Sequence, residues 1–153
     1  MATITLTWDH GYVLGVGALS TLYPFVLGAQ IGKARKRAQV PYPFMYATQA
    51  ECAADKSKLI FNCYQRAHQN FLENYPAFLF LLVAGGIEHP RSAAVAGVVW
   101  LYGRSKYSKN YQSGDPSKRN SKGAGVHYLA LIGLFSLTAK TAVTFMLKAH
   151  GVI

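Results

Sequence analysis

Three polar residues interrupt an otherwise apolar stretch of the chain. Arg66, Asn70 and Glu73 stand at positions i, i+4 and i+7. At 100° per residue they lie within about 60° of one another on a helix, so they form one polar stripe. A guanidinium, an amide and a carboxylate on one face can bind a zwitterionic, peptide-like ligand through its carboxylate and its ammonium group. The alternative is a self-satisfied network that joins neighbouring helices.

A second stripe and a basic pair follow later in the chain. Arg104, Tyr107 and Tyr111 stand at i, i+3 and i+7. The two tyrosines can donate hydrogen bonds to a ligand, although tyrosines at helix ends are also typical anchors at the membrane surface. Lys118 and Arg119 come after a Gly-Asp-Pro turn. A cation held near a thiol stabilises the thiolate, and each unit by which a thiol pKa falls corresponds to about 1.4 kcal/mol. The alternative for this pair is a solvated contact with lipid headgroups.

Four apolar stretches must position these residues. The first carries no formal charge from Gly11 to Gly32, and as a helix it is about 33 Å long, enough to cross the apolar core of a bilayer. With the other three stretches, it predicts an all-α integral membrane protein whose protomer is a four-helix bundle in one domain, residues 1–153. The predicted helices cover residues 10–35, 60–87, 92–111 and 124–148.

The composition agrees with a membrane protein. Half of the chain (51%) is hydrophobic and only 14% is charged, against roughly 25% in a typical soluble domain. These proportions exclude a disordered chain and argue against a small soluble protein. The net charge of +10 would suggest nucleic acid in a soluble protein, so its placement decides what it means.

Most basic residues fall in two of the three connections between the predicted helices and in the helix ends beside them. These residues are Lys33, Arg35, Lys36, Arg37, Lys56 and Lys58, and then Arg104, Lys106, Lys109, Lys118, Arg119 and Lys122. Both connections lie on the same side of a four-helix chain, and cytosolic loops of membrane proteins are enriched in Lys and Arg. We therefore expect cytosolic basic loops, lumenal termini and no nucleic-acid partner. Both polar stripes lie toward the cytosolic ends of their helices, which favours one shared site.

The two cysteines, Cys52 and Cys63, are 11 residues apart and match no metal-binding spacing. We expect neither a disulfide nor a metal site, and on the cytosolic side both thiols stay reduced.

Several segments together resemble the MAPEG family, the membrane-associated proteins of eicosanoid and glutathione metabolism. They are FNCYQRAHQNFLENYPAFLF at 61–80, HPR at 89–91, KARKR followed by VPYPFMYA within 33–47, and GDPSKR at 114–119. The resemblance extends from about Tyr12 into the last helix. It implies a homotrimer in the endoplasmic reticulum membrane, or alternatively the mitochondrial outer membrane, with glutathione bound between neighbouring subunits at the cytosolic side.

The resemblance also implies roles for individual residues. The glutathione-binding positions of the family fall on Arg35, Arg66, His68, Asn70, Glu73, Tyr107 and Tyr111. Arg119 matches the arginine that activates the glutathione thiol in leukotriene C-forming members if the GDPSKR turn has one extra residue; otherwise Lys118 matches it. The sequence departs from the family pattern after Glu73, where Asn74 precedes Tyr75.

The implied function is a glutathione transferase with glutathione peroxidase activity. Glutathione is the co-substrate, and the second substrate is a hydrophobic electrophile or a lipid hydroperoxide that arrives through the bilayer. The alternatives are a non-catalytic lipid-binding protein or a structural membrane subunit of the same fold.

Overall fold

The computed structural model describes residues 5–152, and this part of the chain is helical with no strand. The four long helices are α1 (His10–Ala38), α3 (Lys56–Gly86), α4 (Pro90–Tyr111) and α5 (Val126–Ala149). Two short elements lie in the connections: helix α2 (Gln49–Ala54) and a 3₁₀ helix (Pro116–Asn120). The predicted all-α class is therefore confirmed for the described residues. The largest boundary difference is at α3, which begins four residues before the predicted residue 60.

Local signals in the sequence explain where the long helices begin and end. Helix α1 stops at Gln39, which adopts the left-handed conformation (φ 52°) and donates its backbone N–H to carbonyls of the last turn. Three cationic side chains in that turn interact favourably with the negative end of the helix dipole. Helix α3 is capped by Asp55, whose carboxylate accepts the Ser57 N–H. Helix α4 begins with Pro90. Proline is tolerated at this position because a backbone N–H in the first turn would have no partner within the helix.

Helix α3 packs against α1, α4 and α5, and aromatic side chains fill its contacts. Phe71, Phe78 and Trp100 are fully buried, and the Phe78 and Trp100 rings stack with their centroids 3.8 Å apart. Helices α4 and α5 approach closely at Gly103, where a Cβ atom would stand 2.6 Å from the backbone nitrogen of His127. This close approach requires glycine, and it lies immediately beside the second polar stripe.

Two helices, α1 and α5, are long and apolar enough to cross a membrane. Only 22% and 17% of their apolar windows are buried. Large side chains such as Leu19, Phe25 and Phe135 remain exposed. A core helix of a soluble protein would bury such a surface, so the exposed apolar faces fit lipid contact. The polar stripes lie on α3 and α4, and the membrane crossing of these two helices stays a prediction.

Candidate functional site

The stripe on α3 forms a network of paired charges. Nη1 of Arg66 lies 2.7 Å from Oε1 of Glu73, and Nδ2 of Asn70 lies 3.4 Å from the other carboxylate oxygen. About 40% of each charged side chain is exposed. The two opposite charges therefore face accessible space and satisfy each other.

Arg104 joins the two stripes. Its Nη2 atom donates to Oδ1 of Asn70 at 2.8 Å, although the whole residue is only 2% exposed. The guanidinium lies over the ring of Tyr107, 4.6 Å from the centroid. Its Nε has no hydrogen-bond partner in the described part of the chain. Sequence analysis placed Arg104 in the stripe without a ligand-binding role, yet this residue connects the polar stripe of α4 to that of α3.

The two predicted tyrosines lie on the same side of α4 as Arg104. Tyr107 is buried and Tyr111 is half-buried, with their ring centroids 5.9 Å apart. The edge of His127, from α5, meets the Tyr107 ring at 5.7 Å. Nδ1 of His127 is 2.6 Å from the carbonyl oxygen of Ala124, which fixes the imidazole in place. His127 was not predicted as a neighbour of the site, because its position depends on the close approach of α5 at Gly103.

The basic pair lies in the 3₁₀ helix after α4. Nζ of Lys118 is 3.2 Å from the carboxylate of Asp115, whereas Nη1 of Arg119 donates to the carbonyl oxygen of Pro116. The Ser117 hydroxyl and Lys118 lower the pKa of Asp115, so this carboxylate stays charged. Of the two cations, only Arg119 has no carboxylate within 4.0 Å among residues 5–152. Arg119 is also exposed, so its guanidinium is available to a ligand.

Two of the predicted binding residues, Arg35 and His68, lie apart from the stripe on α3. Arg35 is buried and donates to the carbonyl oxygen of Phe44 at 2.7 Å, with its guanidinium between the rings of Tyr42 and Phe61. His68 lies about 200° around α3 from Arg66 and lines a groove of about 570 Å³ with residues of α1. Among residues 5–152, neither residue forms a hydrogen bond or an ion pair with Arg66 or Glu73.

The two residues after Glu73 make hydrogen bonds within and between helices. Nδ2 of Asn74 donates to the backbone carbonyl of Asn70 at 2.8 Å. The hydroxyl of Tyr75 lies 2.8 Å from that of Ser20, in the packing between α3 and α1. At this departure from the family pattern, the Tyr75 hydroxyl therefore joins α3 to α1.

The connection between α1 and α2 adds residues that sequence analysis did not select. The Tyr46 hydroxyl donates to Oε1 of Gln69, on the side of α3 that carries Arg66. Asn62, earlier on that side, makes two hydrogen bonds with the backbone of Ala47. No sequence period reveals these contacts, because they depend on how an irregular segment folds back onto α3.

The arrangement combines a pair of opposite charges on α3, hydroxyl donors on α4 and an exposed guanidinium in the 3₁₀ helix that follows α4. It can bind a zwitterion and hold an anion nearby. Among residues 5–152, no three His, Cys, Asp or Glu side chains are grouped as a metal site would need.

Comparison with known families gives a match over most of the chain. The family model described as the MAPEG family matches residues 13–140, more than four fifths of the chain. Every predicted site residue, from Arg35 to Arg119, lies within the matched range.

Proposed function

Because the chain belongs to the MAPEG family, we propose that this membrane protein is a glutathione transferase that also reduces lipid hydroperoxides. The family includes glutathione-dependent transferases and related proteins, and family membership with two apolar helices points to a membrane protein. One observation carries the enzyme proposal: the Arg66–Glu73 pair is accessible and is tied through Asn70 to the buried Arg104. Within the family, the RAHQN and GDPSKR segments support a likeness to microsomal glutathione S-transferase 3 and leukotriene C synthase.

The proposed binding step is an exchange of ionic partners. The γ-glutamyl end of glutathione carries a carboxylate and an ammonium group on one carbon atom. Arg66 takes the carboxylate and Glu73 takes the ammonium group, so neither protein charge is left unpaired. The hydrogen bond from Arg104 holds Asn70 beside them, and the hydroxyls of Tyr107 and Tyr111 offer further donors.

Arg119 supplies the positive charge for the sulfur. A thiolate is the nucleophile, and a nearby guanidinium increases the fraction of thiol that is ionised at neutral pH. Lys118 is already paired with Asp115, which favours Arg119 for this role.

The proposed chemistry has two branches. In conjugation, the thiolate forms a C–S bond with an electrophilic carbon such as that of an epoxide, the C–O bond breaks, and the alkoxide takes a proton. In peroxide reduction, the thiolate attacks the terminal oxygen of a hydroperoxide, the O–O bond breaks, and the leaving alkoxide takes a proton, which yields an alcohol and the sulfenic acid of glutathione. The thiol of a second glutathione then attacks that sulfur, which gives the disulfide and releases water.

We further propose a homotrimer in the endoplasmic reticulum membrane, with the site at the cytosolic side and the termini in the lumen. The exposed apolar faces of α1 and α5 support burial against lipid or a second copy. In a trimer, His68 can face the site of a neighbouring subunit, since it points away from the stripe of its own chain.

A second candidate function is lipid binding without catalysis. An apolar groove of about 710 Å³ between α1 and α4, lined by Tyr12, Val16, Ala94 and Val98 among others, favours it. Such a protein would hold a lipid in this groove and would not respond to glutathione.

The deciding experiment measures melting temperature and conjugation rate of the purified protein with millimolar glutathione. We expect stabilisation of the wild type, because a ligand stabilises the state that it binds. Arg119→Ala should lower the rate near neutral pH and recover it at alkaline pH, where the free thiol (pKa about 8.5) ionises unaided. Lys118→Ala is the matched control and should retain most of the rate.

Two results would contradict the proposal. An unchanged rate of Arg119→Ala near neutrality removes the role of this residue. The absence of any thermal shift with glutathione favours the lipid-binding alternative.

A further inference from the structure

The segment 44–47, between α1 and α2, is fixed to both α1 and α3. Arg35 of α1 donates to the carbonyl oxygen of Phe44 at 2.7 Å. Asn62 of α3 accepts the Ala47 N–H at 2.9 Å and donates to the Ala47 carbonyl oxygen at 2.8 Å. Because side chains hold both ends of this segment, the position of Tyr46 between them is well defined.

Tyr46 lies at the edge of the candidate site. Burial raises the pKa of Tyr46, the charge of Arg66 lowers it, and Glu73 and Tyr111 raise it. These influences agree with the hydrogen bond to Gln69, which places the Tyr46 hydroxyl on the side of α3 that carries Arg66.

The hydroxyl of Tyr46 acts on Gln69. It donates to Oε1 of Gln69, whose position is about 60° around α3 from Arg66. With Oε1 occupied, the Nε2 group of Gln69 still has two hydrogens to donate. No acceptor for them lies within hydrogen-bond distance among residues 5–152. An oriented amide donor on the face of α3 that carries the Arg66 guanidinium can complement a carboxylate.

We propose that Gln69 is a further glutathione-binding residue, whose amide nitrogen donates to the carboxylate that Arg66 takes, and that Tyr46 is its positioning residue. This assignment rests on the proposed glutathione-dependent function. It adds position 69 to the binding residues, on the side of α3 that carries Arg66, whereas His68 lies about 200° around the helix from Arg66.

The test uses steady-state kinetics of the full chain with glutathione as the varied substrate. Gln69→Glu keeps an oxygen that accepts from Tyr46 but removes the donor and adds a negative charge, so the KM for glutathione should rise by about tenfold or more with kcat nearly unchanged. Tyr46→Phe leaves Gln69 in place but unoriented, and we expect a rise of roughly threefold. Tyr42→Phe is the matched control, because its ring lies over Arg35, and it should leave KM unchanged.

A double variant separates positioning from independent binding. In the Gln69→Leu background, Tyr46→Phe should add no further loss if the hydroxyl acts only through Gln69. Glutathione with esterified carboxylates provides a second control. The penalty of Gln69→Glu should be much smaller for this ester than for glutathione itself.

The outcomes distinguish this assignment from the proposed function. A wild type that neither binds nor turns over glutathione overturns both. An active wild type whose KM is unchanged in Gln69→Glu overturns the assignment alone. Equal losses for glutathione and its ester also overturn it, because they indicate a structural role.

Discussion

At the scale of single residues, Arg104 is the most deeply buried charged side chain in the described part of the chain. A charge is costly in an apolar helix, and Arg104 is almost fully buried between the rings of Phe71, Trp100 and Tyr107. Its one hydrogen bond to another side chain goes to Asn70. We interpret this position as serving the site rather than the stability of the fold.

Replacing Arg104 tests this interpretation. Arg104→Met keeps the length and apolar contacts of the side chain but removes the charge and the bond to Asn70. Replacing a buried ion pair by apolar side chains is often neutral or stabilising, because the desolvation cost of the charges is removed. Arg104 has no carboxylate partner among residues 5–152, so its replacement leaves no buried charge unpaired. The melting temperature without ligand should therefore stay the same or rise, while the KM for glutathione rises severalfold. Arg104→Lys, which keeps the charge without the planar guanidinium, is the control and should lose less affinity.

A large fall in melting temperature for Arg104→Met, with an unchanged KM, would contradict the interpretation. It would place Arg104 in the structural framework instead.

At this scale, the sequence predicted contacts between residues that lie on the same helix. Arg66, Asn70 and Glu73 share a face because of their spacing, and their contacts agree with that prediction. The contact between Tyr46 and Gln69 was not predictable, because it depends on the path of an irregular connection. The ligand-binding roles themselves stay predictions.

At the scale of elements, the short helix α2 lies at the end of the connection between α1 and α3. Its capping box joins the Thr48 backbone N–H to Glu51 and the Glu51 backbone N–H to Thr48. Glu51 also bonds Nζ of Lys58, at 2.6 Å, which links α2 to the first turn of α3. This arrangement holds the start of α3 next to the segment that carries Tyr46.

The Glu51 interactions predict an acid-sensitive contribution to stability. Lys58 and, to a lesser extent, Thr48 lower the pKa of Glu51 from 4.5 to about 2. Because the folded pKa lies below the unfolded one, the contribution is complete above about pH 4.5 and is lost as pH falls toward 2. Glu51→Gln should lower the melting temperature slightly at pH 6, and this difference should shrink toward zero near pH 2.

The effect is small because the pair is accessible to solvent. Lys58→Met should show the same pH dependence, and Lys56→Met is the control that should not. A difference between wild type and Glu51→Gln that is independent of pH would contradict the assignment.

The long and short helices differ in how well the periodicity of the sequence predicts them. The long helices were predictable because each has many residues of apolar sequence. Helix α2 has six residues and the 3₁₀ helix five, too few for a helical period to show. The local signals were the capping residue Thr48 for α2, and the Gly-Asp-Pro turn with its capping residue Asp115 for the 3₁₀ helix.

At the scale of the whole molecule, charge and apolar surface are separated along the helices. The last turn of α1 carries Arg35, Lys36 and Arg37, and the 3₁₀ helix carries Lys118 and Arg119. The faces of α1 and α5 between the ends are largely apolar and exposed. This distribution supports the proposed orientation, in which the basic connections face the cytosol.

Labelling of introduced cysteines tests the orientation. Ser117→Cys lies in the 3₁₀ helix and Ser92→Cys near the start of α4, and both positions are exposed. In sealed microsomes, a membrane-impermeant maleimide should label Ser117→Cys directly and Ser92→Cys only after detergent is added. A Cys52→Ser background reduces the native signal, and the reverse labelling pattern would contradict the proposed topology.

The ion pair of Arg66 and Glu73 also bears on which anions the site can exclude. The cytosolic surface of a membrane carries anionic lipids, and an unpaired Arg66 would attract them. To displace Glu73 from Arg66, however, a simple carboxylate must leave the Glu73 charge without a counterion, whereas an amino-acid head group replaces both partners at once. In the proposed function, the ion pair therefore favours an amino-acid head group over other anions.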